Sequence, residues 1–266
     1  MRDARPSAIY LKDYRPPPFR IERTRLDFDL HEDHATVSAT LELVRAEGAA
    51  ADETLVLHGQ ELQLEQIELD GAILDESAYS VGEETLSIGD VPDAFTRRCV
   101  TRIHPQDNTS LEGLYKSRTM FCTQCEAEGF RKITYYLDRP DVMSVFTVTV
   151  EADQQAYPVL LSNGNLIDKA RVEQGRHSVT WHDPFPKPAY LFALVAGKLE
   201  KVDDNFHTCS GRDVSLRIYV EEKDLDKCGH AMRSLKESMR WDEEVYGREY
   251  DLDIFNIVAV DDFNMG

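Results

Sequence analysis

The sequence has no apolar run approaching the roughly 20 residues that a membrane-crossing helix needs. Its first residues, Met1-Arg2-Asp3-Ala4-Arg5-Pro6, lack the apolar centre of a secretory signal. Basic residues are scarce: 30 Lys and Arg stand against 49 Asp and Glu, a formal charge of −19. Such a surface repels phosphate backbones and anionic lipid, which argues against nucleic acid and membrane as partners. Cysteine is sparse and odd in number, five in 266 residues. That argues against a disulfide framework and for a reducing compartment, so a cytoplasmic protein is expected. Internal repeats and low-complexity tracts are also missing.

What is present is mostly alternation. After a Pro-rich opening (Pro6, Pro16, Pro17, Pro18), expected to lie as an extended arm over the body, the pattern turns strictly period-two. Leu26, Phe28 and Leu30 lead to a polar tip, His31-Glu32-Asp33-His34, and Val37, Ala39, Leu41 and Leu43 follow. This spacing predicts a β-hairpin with one buried face. Further strands are predicted at 54–57, 62–69, from 73 onward after the Asp70-Gly71 turn, and at 86–88, 99–103, 143–150, 159–161, 178–181 and 190–195. Short strands without intervening helices imply a mainly β fold, an antiparallel sandwich or saddle-shaped sheet assembly.

The character changes after Gly197. A strand at 214–220 precedes a helical pattern reaching Tyr246, with Cys228, Ala231, Met232, Leu235 and Met239 on one face and Gly247 placed to cap it. Residues 251–260 return to a strand. Strand–helix–strand after an all-β stretch predicts a boundary, with a β-domain over 1–198 and the opening of an α+β domain over 199–266.

The chemistry concentrates in Phe121-Cys122-Thr123-Gln124-Cys125-Glu126-Ala127-Glu128-Gly129-Phe130-Arg131, followed by Tyr135-Tyr136-Leu137-Asp138-Arg139-Pro140-Asp141. Two carboxylates, an amide, two thiols and turn formers in so short a span read as a loop held on a scaffold. Cys122-Thr123-Gln124-Cys125 is a lone CxxC with no second half at metal-site spacing, so buried supporting thiols are expected rather than a redox pair or a zinc site. His31 and His34 are three apart on a hairpin tip, where zinc-binding histidines of a catalytic helix are four apart. The other histidines are scattered singly, and no complete catalytic metal site is found. Glu128, Arg131, Asp138 and Arg139 are expected to brace the loop as ion pairs, and Tyr135 and Tyr136 to pack with a polar handle.

Several of these stretches resemble the bacterial aminopeptidase N branch of the M1 zinc metallopeptidases. The resemblance is carried by Glu112 to Tyr115, Phe121 to Arg131, Ile133 to Pro140, Leu160 to Asn165, Asp183 to Pro188, Ala193 to Gly197 and Val258 to Gly266. It implies that residues 199–266 begin a thermolysin-like catalytic domain. It implies that Glu126 binds the α-amino group of a peptide substrate, with Gln124 beside it. It further implies that Gly266 opens the Gly-x-Met-x-Asn substrate motif and that Met265 lines the first side-chain pocket. Asp262 stands where an aromatic residue is expected.

The zinc ligands would lie beyond Gly266, with zinc in the full-length enzyme and none in this chain. The chain is then expected to be an inactive N-terminal portion of a monomeric aminopeptidase whose partners are peptides with a free N-terminus. The competing reading is a stand-alone β-rich peptide-binding or interaction module without catalysis.

Overall fold

A computed structural model describes residues 10–263. The strands run in chain order as β1 (Phe19–Leu30), β2 (Ala35–Arg45), β3 (Leu55–His58), β4 (Gln63–Leu69), β5 (Ala72–Ile73), β6 (Tyr79–Val81), β7 (Thr85–Ile88), β8 (Ala94–Ile103) and β9 (Gly113–Ser117). They continue as β10 (Met120–Gln124), β11 (Met143–Asp153), β12 (Val159–Ser162), β13 (Asn165–Arg171), β14 (Arg176–Pro188), β15 (Leu194–Gly197), β16 (Glu200–His207) and β17 (Asp213–Val220). One long helix, α1 (Cys228–Tyr246), and a last strand, β18 (Ile254–Val258), follow, and short 3-10 turns lie between the elements. The fold is mainly β, as the alternation implies.

A long sheet has the order β13-β14-β11-β1-β2-β8-β4-β5. The hairpin predicted from Leu26 to Leu43 is β1–β2, in a register that sets Leu26 against Ala39 and Phe28 against Val37. Large and small side chains therefore interlock on the buried face. Two smaller sheets, β3-β7-β6 and β12-β15-β10-β9, send their side chains into the same hydrophobic cluster as this face.

Two pairings depart from the antiparallel expectation. β1 pairs parallel with β11, and β17 pairs parallel with β18. The stretch 190–195 also departs from a continuous strand, since Ala189–Leu191 form a 3-10 turn before β15. The arm predicted at the N-terminus is described from Tyr10 onward and is tied to the body. Tyr14 Oη donates to Asp141 at 3.0 Å, and Arg139 Nη2 donates to Arg15 O at 2.9 Å.

The last elements build a second hydrophobic cluster. Val214, Leu216, Ile218 and Val220 of β17 pack with Cys228, Met232 and Met239 of α1. Gly247 ends the helix in the left-handed region, φ 60°, with its N–H donating to Glu243 O at 3.1 Å. That bond is the five-to-one closure of an αL cap, and the Arg248 N–H reaches further back, to Asp242 O at 3.2 Å. The opposite face of β17 presents Tyr219 to the first cluster, which joins the two parts along a seam.

Candidate functional site

The dense stretch is half strand. Phe121 to Gln124 lie within β10, which pairs with β9 on one edge and β15 on the other. All five residues of β10 are buried. A strand covered on both faces shows no alternation, which is why this segment reads as a loop from its sequence. In the hairpin register Gln124 faces Gly113 and Cys122 faces Tyr115.

Beyond Gln124 the chain turns through Glu126, Ala127 and Glu128, all exposed, and the Glu126–Ala127 peptide is cis. It re-enters as a 3-10 turn, Gly129–Lys132. Two glycines permit that return. A Cβ on Gly129 would stand 2.6 Å from Gln124 O, and one on Gly113, whose φ is +73°, would stand 2.9 Å from Lys132 Cβ.

Glu126 and Gln124 are thus brought together. Gln124 is 6% exposed, and its Oε1 accepts the Glu126 N–H at 3.2 Å. Its Nε2 is buried with no partner among the described residues. A buried amide donor left open costs free energy unless an acceptor comes to it. Glu126 itself is exposed on the turn.

The return segment is clamped from several sides. Phe130 is fully buried, edge-on to Tyr136 at 4.8 Å and to Phe192 at 5.3 Å. Arg131 Nε donates to Asp138 Oδ2 at 3.1 Å, the Arg131 main-chain N–H donates to the same oxygen, and Nη2 donates to Asp138 O at 3.0 Å. Arg131 also pairs with Glu128 at 3.3 Å, and Arg139 with Asp141, so Glu128, Arg131, Asp138 and Arg139 each stand in an ion pair. Burial pushes the Asp138 carboxyl above its usual range, and Arg131 opposes that rise. His58 exchanges main-chain hydrogen bonds with Tyr136 and accepts the Asp138 N–H on Nδ1 at 3.3 Å. Its own proton affinity is lowered, chiefly by burial and then by Arg131.

Strand β8 supplies a clamp the sequence reading missed. Its inward residues Arg97, Cys99 and Thr101 meet Tyr135 O, Thr134 Oγ1 and Ile133 O in succession. Arg97 is fully buried. The signal was available in the alternation Phe95, Arg97, Cys99, Thr101, Ile103, which puts an arginine on the core face.

The C-terminal stretch reaches the same hairpin. Ala259 N–H donates to Tyr219 O, after which Tyr115 Oη donates to Asp262 O at 2.8 Å and Ser117 Oγ to Asp262 Oδ2 at 2.7 Å. Arg118 pairs with Asp261 at 2.5 Å. Only the Ser117 bond reaches the carboxylate at 262, which accepts it where a plain phenyl ring could not. Met265 and Gly266, read as substrate-contacting, lie outside the described residues.

The cysteines behave as supporting groups. Cys122 and Cys125 are buried, and desolvation pushes Cys122 up to about 11 and Cys125 well above its ordinary value. A redox pair needs the reverse, a thiol lowered toward neutrality. His31 and His34 stack on each other at the hairpin tip, pairing with Asp29 and Asp33. Among the described residues no three His, Cys, Asp or Glu side chains converge as metal ligands. A cleft of about 230 Å³ opens along the seam between β15 and β18, but neither Gln124 nor Glu126 lines it.

Comparison with known proteins accords with this geometry. Aminopeptidase N of Caulobacter vibrioides is 52% identical over the whole chain, and aminopeptidase N of Escherichia coli is 51% identical over 98% of it. The chain spans about 30% of the length of each of these relatives. A crystal structure of Legionella pneumophila aminopeptidase A in complex with aspartic acid superposes with a TM-score of 0.91 at 35% identity, covering 96% of this chain and 30% of that one. An M1 zinc metallopeptidase from Deinococcus radiodurans shares the fold, with a TM-score of 0.75 at 14% identity over 91% of this chain and 56% of its own. Residues 20–191 match the peptidase M1 N-terminal domain, and this chain belongs to that family.

Proposed function

We propose that the chain supplies the amine-recognition loop of a zinc-dependent aminopeptidase that removes N-terminal amino acids from peptides. In this reading residues 1–198 form the N-terminal β-domain and residues 199–266 open a thermolysin-like catalytic domain. The separate hydrophobic cluster around β17 and α1 supports that division. Glu126 receives the α-ammonium group, and Gln124 holds the Glu126 main chain in place through Oε1 while Nε2 donates to a substrate oxygen. Met265 and Gly266 line the first side-chain pocket and the path of the substrate backbone. The enzyme is a cytoplasmic monomer.

The observation that carries the reading is the pairing of an exposed carboxylate with a buried, half-satisfied amide on a loop locked by Phe130 and the Arg131–Asp138 pair. A primary ammonium brings three donors, and a carboxylate on a pre-set main chain receives it at little ordering cost. The family implies zinc in the full-length enzyme. The residues described here do not form a ligand set for it, so no step is assigned to the metal in this chain. The chain alone is expected to hydrolyse nothing.

The test is Glu126→Gln and Glu126→Ala in the full-length enzyme that carries this chain. Loss of a charged hydrogen-bonding partner is worth about 1.5–3 kcal/mol, so kcat/KM for free-amine substrates should fall about 10- to 150-fold with bound zinc unchanged. Unaltered kcat/KM would remove Glu126 from the site.

A further inference from the structure

A second cleft, of about 290 Å³, lies at the seam where β13 and β14 approach β16 and β17. We propose that it is a binding site for a small carboxylate with an apolar body, of the size of one hydrophobic amino acid. The volume sits at the lower edge of ligand pockets, which suits a ligand of that size.

The walls carry the charge. Lys169 of β13, Lys201 of β16 and Arg217 of β17 all line the cleft. In register, Lys201 faces Tyr219 and Asp203 faces Arg217, so these four side chains share the side of the β16–β17 ladder turned toward the first domain. Among the described residues Asp203 is the one carboxylate paired to this group, 2.6 Å from Lys201 and 3.4 Å from Arg217 Nε. Three cations against one anion leave a local excess of two positive charges on a chain whose net charge is −19. The Arg217 terminal nitrogens have no protein partner among the described residues, so its planar fork is open to a carboxylate.

The floor carries the apolar part. Trp181 and Tyr219, 2% and 5% exposed, lie beneath with Leu160 and Leu166. Trp181 is held in orientation by donating Nε1 to Leu160 O at 3.2 Å. Phosphate or another compact anion would use the cations and leave this floor unused. A carboxylate joined to an aryl or branched alkyl group uses both. Because β13 and β14 belong to one hydrophobic cluster and α1 with β17 to the other, such a ligand would bridge the seam. The site does not depend on the role assigned to Glu126.

The experiment follows Trp181 emission in the 266-residue chain carrying Trp241→Phe, which removes the only other indole. Calorimetry runs alongside, so that a silent indole does not hide binding. N-acetylphenylalanine should bind saturably, and N-acetylphenylalaninamide, with the same body but no charge, about tenfold or more weakly. Arg217→Met and Lys201→Met should each weaken the acid about tenfold with unchanged far-UV circular dichroism, both side chains lying outside the cores. Equal affinity for 3-phenylpropionate supports a general small-acid site, and tighter binding of N-acetylphenylalanine supports a peptide's C-terminal residue. The proposal is overturned by equal binding of acid and amide, by indifference to Arg217→Met, by no saturable binding, or by inorganic phosphate competing as well as the acid.

Discussion

Arg131→Met separates the ion-pair account of the loop from simple packing. Methionine keeps much of the aliphatic volume of arginine but removes the guanidinium that makes two bonds to Asp138. Asp138 is 2% exposed, so its carboxylate is left buried and short of its strongest partner. Removing one member of a buried pair costs about 3–5 kcal/mol, a large share of a domain stability of about 5–15 kcal/mol.

The pH dependence follows from the sign of the Asp138 shift. Its folded-state proton affinity is already raised by burial, and without Arg131 it rises further. Between the unfolded value, about 3.9, and the raised folded value, the folded variant holds a proton the unfolded chain has lost. Stability of the variant therefore falls as pH rises through that window, by at most about 1.4 kcal/mol per pH unit. Urea unfolding followed by circular dichroism should show the full loss at pH 7.5 and a smaller one at pH 5. Adding Asp138→Asn, which keeps an acceptor for the residue-131 main-chain N–H, should recover about 2 kcal/mol at pH 7.5 and flatten the profile. A loss below about 1 kcal/mol, a pH-independent loss, or a double variant no better than the single would refute the reasoning.

Other expectations follow from the same site. Burial lowers the proton affinity of His58 in the fold, so below about pH 6.5 the unfolded chain takes up a proton more readily than the folded chain, and stability drops on acidification. His58→Asn should make the urea midpoint less sensitive between pH 7 and pH 5, and an unchanged slope would contradict this. Among the cysteines, exposed Cys209 should react with iodoacetamide at pH 8 long before Cys122, whose thiolate fraction there is about one in a thousand. Peptide mapping that found Cys122 labelled as fast as Cys209 would revive a redox role. Gly129→Ala should shift the turn, because its Cβ meets Gln124 O; the full-length enzyme should lose kcat/KM for free-amine peptides together with stability. Loss of stability alone would dissociate the turn from Glu126.

Much of the fold was legible because pleating is local. The period-two run from Leu26 to Leu43 specified a hairpin, and the three- and four-residue spacing ending at Gly247 specified a capped helix. The loop's charged residues could be read as braces, since oppositely charged groups so close in sequence on a tight turn have few other partners. Family membership was legible too, because motifs spread from Glu112 to Gly266 repeat long strings of residue types.

What the chain could not state locally was decided by contacts between distant segments. The parallel pairing of β1 with β11 joins residues about 120 positions apart, and nothing in either strand encodes its neighbour. Phe121 to Gln124 hid its strand character because the tertiary structure buries both faces. Arg97 at the back of the loop, and Asp262 against Tyr115 and Ser117, were likewise set by which strands lie side by side. A side chain's chemistry is written in the sequence. Whether water or a neighbouring strand surrounds it is settled only when the sheets close, and that determines whether Glu126 is one more solvated acid or a receptor on a fixed frame.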